Sequence, residues 1–585
     1  MSNLIIQVSK YLIIILMALY TFQCFTVFSK KDEDDRNFVF LRQNILMFFM
    51  HFVAFTVLYL EIGDVTVLKF YGAQVIYFAV MLILFRWLYP LASRLLVNNM
   101  CMLISIGFIM ITRISYDQSV KQFKIIAAST AVALIIPLLI RKLRFITKMY
   151  WFYALAGIGL LALVAIMAQS TYGAKLSFNI GGISIQPSEF VKIIYVFAVA
   201  GLLSNARDFK RIVMATGLAA LHVLILVVSK DLGSALIFFV TYLVMLFVST
   251  KNPFYVATGV LAGSAAAVGA YFLFGHVRVR VQAWQDPFAD YYAGGYQICQ
   301  SLFSIAAGGW FGTGLYQGSP TAISFVEQDM MFSAIAEELG SVFGICLILV
   351  CMSCFIMFVN IAMQLASRFY RLVAVGLGAT YAAQVFLTIG GGIKLIPLTG
   401  VTLPLVSYGG SSALSTLIMF AIVQGLYMLQ RDEERKKRQA EERIPEYPYN
   451  EDQSGRNRMP GDDPSCYDEN GRWRESDYHD GYTGYDRGAD YRDGYTDYDR
   501  GTDYRDDYAG YDRGADYHDG YTDYDRESDY ESSYRQREDT CGGSYEYGRS
   551  SGYDRDYSGE DPDDYGAYDY SHTGDYDFGQ ENRRR

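Results

Sequence analysis

The sequence lacks any disulfide or metal framework. Its eight cysteines follow no paired spacing. Cys351-Met-Ser-Cys354 has the interval of a zinc knuckle, yet it stands in an apolar run without a second pair or histidines, which reads as ordinary helix packing. Also missing is a small-residue cleavage site after the first apolar run, where Thr26-Val27-Phe28 continues to the charged KKDEDDR. That run is therefore expected to be retained and not removed as a signal peptide. Two further scarcities divide the chain. Up to about Gln430 charge is confined to short joins, and beyond about Ala440 aliphatic residues nearly vanish. A mean hydropathy only slightly above zero is the average of these two unlike parts.

The first part alternates apolar runs of roughly 17 to 25 residues with short polar joins, the length an α-helix needs to cross about 30 Å of hydrocarbon. Thirteen spans are expected, centred near residues 20, 52, 79, 105, 131, 160, 196, 220, 240, 264, 348, 382 and 420. The fold class is an all-α polytopic membrane protein. Basic joins RKLRFITK (141–148), NARDFKR (205–211), SRFYR (367–371) and RDEERKKR (431–438) fall on one side, which the excess of Lys and Arg makes cytoplasmic. An odd span count then puts the N-terminus outside and the tail inside. The loop from about Gly275 to Gln328, with those at 170–186 and 393–409, becomes extracytoplasmic.

The second part carries a 13-residue repeat: YDRGADYRDGYTD from Tyr485, YDRGTDYRDDYAG from Tyr498, YDRGADYHDGYTD from Tyr511 and a decayed copy from Tyr524. Solenoid repeats stack through an apolar face, and these have only tyrosine. Residues 431–585 are expected to be a disordered cytoplasmic tail, either a solvated tether or a weak multivalent binder acting through Tyr and Arg.

Ionisable residues in or beside a span are costly and mark functional candidates. They gather on the expected outer side: QPSEFVK (186–192) with Glu189 and Lys192, KDLGSA (230–235) with Asp231, Glu327 and Asp329 in SFVEQDMMF, Glu337 and Glu338, Lys394, and SYGGSS (407–412) with Ser411 and Ser412. Several have a structural alternative. Glu189 and Lys192, three apart on one helix face, are placed to neutralise one another. Asp231 is placed to cap the helix from Leu232. The Glu pair is placed to hydrogen-bond neighbouring helices, and Gly-Gly-Ser-Ser serves either a phosphate cradle or close helix packing.

These elements in this order resemble the SEDS family, that of FtsW, RodA and SpoVE, over roughly residues 100 to 430. The resemblance is carried by SIGFIMITRISYDQSVKQF, QPSEFVK, KDLGSALIFF, DPFADYYAGGYQICQS, IAAGGWFGTGL, AIAEELG and IPLTGVTLPLVSYGGSS. It implies a ten-helix core at 98–430 preceded by three extra helices at 1–97. It also implies a peptidoglycan glycosyltransferase of the bacterial plasma membrane that polymerises lipid II, with inversion, for division or cell shape. A precursor flippase and a non-catalytic septal scaffold are the alternatives. A class B penicillin-binding protein and other divisome or elongasome proteins are the implied partners, and no nucleic acid is.

The family's outer loop ends in a motif like Pro-Glu-x-His-Thr-Asp-Phe, whose aspartate is the presumed catalytic residue. Here FVEQD replaces it, and Asp329 keeps the eight-residue spacing to Glu337. The resemblance makes Asp329 the general base toward an acceptor sugar hydroxyl. Arg278, Arg280, Lys192 and Lys394 would meet the leaving pyrophosphate. Asp231, Glu189, Ser411 and Ser412 complete the expected substrate contacts. A divalent cation, Mg2+ or Mn2+, is allowed on the pyrophosphate, with its protein ligands unassigned.

Overall fold

The computed structural model describes residues 2–441, apart from 143–146, 168, 172–173, 181–182, 205–208, 290 and 293. The repeat tail, which was expected to be disordered, lies outside the described residues. In chain order the elements are α1 (Ser2–Ser29), α2 (Glu33–Ile62), α3 (Val65–Leu88), α4 (Arg94–Ile114), α5 (Tyr116–Lys142) and α6 (Tyr150–Met167). A small antiparallel sheet follows, β1 (Gln169–Thr171), β2 (Ala174–Ile180) and β3 (Ile183–Ile185), in that order. Then come α7 (Pro187–Leu203), α8 (Phe209–Val228), α9 (Leu232–Thr250), α10 (Pro253–Leu273), α11 (Gly275–Gln285), α12 (Tyr296–Gly308), α13 (Met331–Gln364), α14 (Arg368–Gly392) and α15 (Gly410–Glu441).

A helix covers each of the thirteen expected centres, and eleven of these are long and apolar enough to cross a membrane. The other two, α6 and α7, are apolar but shorter. The chain is a multi-pass membrane protein. Three features depart from the sequence reading. The expected all-α class gains the sheet at 169–185, the large loop carries α11 and α12, and α15 runs eleven residues past the expected boundary at 430.

The joins are tight because their residues terminate helices chemically. Gly63 ends α2 in the left-handed region (φ 71°), its N–H donating to the Tyr59 carbonyl. Asp64 then caps α3 by accepting from the Thr66 N–H at 2.8 Å. Asn252 caps α10 ahead of Pro253, and Pro187 opens α7, where a missing N–H costs nothing. Helices joined so closely run antiparallel, so the loops expected to be outer share one end of the bundle and the joins at 29–33, 89–93 and 365–367 share the other.

Packing ranks the helices. The apolar window of α4 is buried all round, whereas α10 has no buried residue and faces outward along its length. Polar side chains tie α1 and α2 to the core. Tyr20 Oη donates to Asn99 Oδ1 at 3.0 Å, Asn98 Nδ2 donates to Gln43 Oε1 at 3.0 Å, and Asn99 Nδ2 donates to Ser353 Oγ at 3.2 Å. His51 Nδ1 and Ser105 Oγ lie 2.9 Å apart. Each such bond in hydrocarbon contributes about 0.6 kcal/mol, so their effect is to fix register as much as to add stability.

The outer end of α13 holds the loop that leads to it. Gly340 breaks that helix with φ 87°, and the freed backbone receives the glycine-rich segment after α12: Thr313 N–H donates to Glu337 O, Gly314 N–H to Glu338 O, and Ser341 N–H to Gly309 O. Gly308 makes the approach possible, because a methyl there would fall on the Ala336 carbonyl. Gly308→Ala is expected to cost about 1–3 kcal/mol through overpacking, read as a lowered unfolding temperature of the purified protein.

Candidate functional site

The outer ends of α7, α9 and α13, together with α11, α12 and the 393–409 loop, bring distant polar residues together. Asp329 ends the loop before α13, half-buried. Its Oδ1 accepts from Gln297 Nε2 at 3.1 Å, and the same amide also donates to the Ser324 carbonyl at 2.9 Å. Gln297 sits in the first turn of α12. Two bonds from one amide fix both the loop and the carboxylate.

Arg280 faces Asp329 across Gly400. A Cβ on that glycine (φ 73°) would lie 3.9 Å from Asp329 Oδ2 and 4.0 Å from Arg280 Nη2, so the glycine keeps the space between acid and base open. Arg280 Nη1 donates to the carbonyls of Leu398 and Thr399, at 3.2 and 3.1 Å. Burial pushes the Asp329 carboxyl up to about 6, against the pull of its own backbone N–H, Arg280 and Gln297, and Glu327 adds to the rise. Burial pulls the Arg280 guanidinium down, opposed by Asp329 and Asp231.

Asp231 has two tasks. Its Oδ1 accepts from the Ser234 N–H at 3.1 Å, capping α9, and its Oδ2 accepts from Ser188 Oγ at 3.1 Å and Gln186 Nε2 at 3.3 Å. Glu189 and Lys192 form a buried ion pair of 2.5 Å. Glu189 Oε2 also accepts from Ser415 Oγ at 2.7 Å, and Lys192 Nζ donates to Gln384 Oε1 at 2.7 Å. Gln384 Nε2 reaches Ser412 Oγ at 3.2 Å, Ser412 accepts from Thr402 Oγ1 at 2.8 Å, and Ser411 Oγ accepts from the Gln186 N–H at 3.0 Å. The two serines thus join α15 to α14, to the 393–409 loop and to the start of α7, beneath the Asp231 cluster.

The four expected cations separate. Arg280 meets Asp329, while Lys192 lies in the buried ion pair. Arg278 is exposed, donates to the Phe272 carbonyl at 3.2 Å and lies over Tyr271. Lys394, in the left-handed region (φ 59°), is anchored by its carbonyl, which accepts from Trp284 Nε1 of α11 at 3.1 Å. Its half-buried ammonium has no hydrogen-bond partner among the described residues. Glu327 ties loops together: its carbonyl accepts from the Tyr408 N–H at 2.7 Å and its Oε1 from Gln118 Nε2 at 3.4 Å.

Sequence reasoning did not single out Gln297, Gln384, Thr402 or Ser415, and it named Gln186 and Ser188 only as part of the QPSEFVK helix start. Gln384 carried a usable signal, a polar amide in an apolar span. Gln297 carried none beyond its place in a quoted motif.

The donor set does not fit a resident divalent cation. Such an ion takes about six oxygen ligands, whereas the two acids that face this space, Asp329 and Asp231, share it with a guanidinium. Among the described residues no group of three or more His, Cys, Asp or Glu side chains could hold a metal. The arrangement is suited to taking a proton at Asp329 beside a fixed positive charge.

Comparison with known proteins agrees with this architecture. The family of cell cycle proteins FtsW, RodA and SpoVE matches residues 93–432. "Peptidoglycan glycosyltransferase RodA" of Mycobacterium tuberculosis (strain ATCC 25618 / H37Rv) is 34% identical over 367 residues, covering 57% of this chain and 77% of that protein. "Stage V sporulation protein E" of Bacillus subtilis (strain 168) is 34% identical over 258 residues, 43% of this chain and 70% of that one. A chain from a solved structure, described as "Structural coordination of polymerization and crosslinking by a peptidoglycan synthase complex", aligns with a TM-score of 0.50 at 25% identity, covering 58% of this chain and 98% of that chain. The matched region begins at the start of α4, which leaves α1–α3 as an addition to it. The chain belongs to the FtsW, RodA and SpoVE family.

Proposed function

We propose that this protein is a peptidoglycan glycosyltransferase that polymerises lipid II, with Asp329 as its general base. The observation that carries the reading is the Asp329 carboxylate, raised to about 6 and held by Gln297 opposite Arg280, in a chain whose relatives bear that activity in their names. A base in that range is both ionised near neutrality and basic enough to accept a proton in the transition state.

In this reading the acceptor's sugar hydroxyl gives its proton to Asp329 as its oxygen attacks the donor's anomeric carbon from the face opposite the diphosphate. The glycosidic bond forms, the bond from carbon to diphosphate breaks, and configuration inverts. Arg280 and Lys394 meet the charge that develops on the leaving group. Asp231, with Ser188 and Gln186, lines the sugar-facing side. Glu189, Lys192, Ser411 and Ser412 position that rim from below, and Arg278 contributes charge at its edge. No step is assigned to a metal.

The same reading places Asp329 on the extracytoplasmic face of a bacterial plasma membrane, with the N-terminus outside and the tail inside. The basic joins at the opposite end of the bundle support that orientation. A class B penicillin-binding protein is the proposed partner, supported by the relative whose structure concerns coordinated polymerization and crosslinking.

The test is reconstitution with that partner and labelled lipid II. Glycan polymer from the wild-type protein supports the reading; no polymer, with lipid translocation in vesicles, replaces the enzyme with a flippase. Arg280→Gln refines it. Loss of a cation beside Asp329 raises the carboxyl further, by about one pH unit or more. The acid limb of the pH–rate profile, centred near 6 in the wild type, is expected to move to higher pH, with a lower plateau. An unmoved limb removes Arg280 from control of the base.

A further inference from the structure

At the end of the bundle opposite Asp329, the N-terminal helices and the core form an open polar cavity of about 820 Å3. Its walls are the last turn of α1, the first two turns of α2, the join into α4, the end of α13 and the polar extension of α15. Six cationic side chains line it, Lys30, Arg36, Arg94, Arg431, Arg435 and Arg438, against two acids, Glu33 and Glu434.

Several of those cations have donors to spare. Lys30 is paired with Asp35 at 2.9 Å, Arg94 donates to Asn37, and Arg431 donates to its own helix's Tyr427 Oη at 3.1 and 3.2 Å. Arg36 Nε is buried without a hydrogen-bond partner among the described residues. A guanidinium offers five N–H groups in a planar fork, so these partners leave most of the Arg94 and Arg431 donors unclaimed. Neither Arg435 nor Arg438 has an ion-pair or hydrogen-bond partner among the described residues. Such a set matches a phosphate.

A narrower cleft of about 190 Å3 adjoins this cavity and shares Asn37, Phe40, Pro90, Ala92 and Arg94 with it. Leu82, Phe85 and Val97 make its interior apolar, and Leu41 and Ile83, 55% and 65% exposed, flank it on α2 and α3 on the lipid-facing side of the bundle. A cationic vestibule that leads into an apolar slot open to the bilayer fits a ligand with an anionic head and a hydrocarbon chain. Basic pockets between transmembrane helices hold lipid head groups by this chemistry.

We propose that this cavity is a binding site for an anionic phospholipid, its phosphate among Arg36, Arg94 and Arg431 and one acyl chain in the cleft between α2 and α3. The site is built by the helices that precede the family core, whose walls on α1 and α2 complete it. Its occupant bridges the extension to α4 and α15 in a way the buried hydrogen bonds alone do not.

The test uses the full-length protein, stripped of lipid in neutral detergent, with native mass spectrometry and thermal unfolding as readouts. One added phosphatidylglycerol is expected to bind and raise the unfolding temperature, with phosphatidylcholine binding at least about tenfold more weakly. Arg36→Gln/Arg94→Gln is expected to weaken phosphatidylglycerol roughly thirtyfold, at about fivefold per cation near a lipid head. If that variant does not fold, Arg435→Gln/Arg438→Gln alters exposed side chains alone and is expected to weaken binding several-fold. Leu82→Trp, which fills the cleft, is expected to weaken the diacyl lipid and leave inorganic phosphate unaffected. Equal binding of both lipids, or unchanged affinity in the folded variants, overturns the proposal. So does equal stabilisation by inorganic phosphate, which points to a free anion, or by an acidic peptide taken from residues 560–578, which points to a protein segment.

Discussion

Asp329→Asn is expected to abolish glycan polymerisation and, at neutral pH, to raise the unfolding temperature. The first effect follows from losing the general base, worth about 10²–10⁴ in rate. The second follows from the direction of its shift. Burial raises the folded carboxyl to about 6 from the 3.8 of an unperturbed aspartate. A group raised on folding contributes stability that is present below 3.8 and lost as pH rises through 6. Above 6 the wild type holds an ion in a place that disfavours it, at a cost of at most about 3 kcal/mol and less for a half-buried group that water still reaches. Asparagine escapes that cost and keeps an oxygen for Gln297. The stability advantage of the variant is therefore expected to grow from pH 4 to pH 6 and then level off, while polymer formation stays absent throughout. Full activity in the variant removes Asp329 from the chemistry, and joint loss of activity and stability reassigns it as a structural acid.

Much of this was legible in the sequence, for identifiable physical reasons. Helix centres are set by the thickness of hydrocarbon, so apolar runs separated by short polar joins placed thirteen helices. Ends were readable where one residue does the terminating, as at Pro187 and Asp231. The break at Gly340 was not, because Met331–Gln364 is apolar on both sides of it and only the loop docking on its freed backbone reveals the interruption. Nor were α11 and α12, whose mixed composition marks no span.

The site divides in the same way. Asp329 was singled out by the resemblance, through its place at the end of the loop and its eight-residue spacing to Glu337. Its companions come from α11, α12 and the 393–409 loop, and nothing local links Gln297, Arg280 and Gly400 to it. Arg278 and Arg280 entered as equals, although residues two apart on a helix point to nearly opposite sides. The structure turns Arg280 inward to the Leu398 and Thr399 carbonyls and Arg278 back along its own chain toward Phe272. The Gly-Gly-Ser-Ser run offered either a phosphate cradle or close helix packing, and the Ser411 and Ser412 hydroxyls are engaged with Gln186, Thr402 and Gln384. The cap expected of Asp231 is present, since one oxygen accepts from the Ser234 N–H at the start of α9, while the other accepts from Ser188.

Arg113→Met is expected to destabilise the protein by about 3–5 kcal/mol, the cost of leaving a buried carboxylate unpaired. Arg113 Nε meets Glu338 Oε1 at 2.8 Å, with side chains 11% and 0% exposed. The other Glu338 oxygen has no hydrogen-bond partner among the described residues, and among them the guanidinium is the side-chain group that compensates this charge. The same guanidinium donates to the Gly318 carbonyl at 3.0 Å and lies 4.0 Å over the Tyr316 ring. Alongside it, Glu337 Oε1 accepts from the Ser319 N–H at 2.6 Å. The pair therefore fastens residues 313–319 to the outer end of α13, at the start of the segment that leads to Asp329. Removing it is expected to lower polymerisation together with the unfolding temperature, unlike Asp329→Asn. The double variant Arg113→Met/Glu338→Leu removes both charges and is expected to recover part of the lost stability, because no unpaired ion remains, while the loop contact to Gly318 stays lost. A double variant no more stable than Arg113→Met would show that the cost lies in the loop contacts and not in the stranded carboxylate.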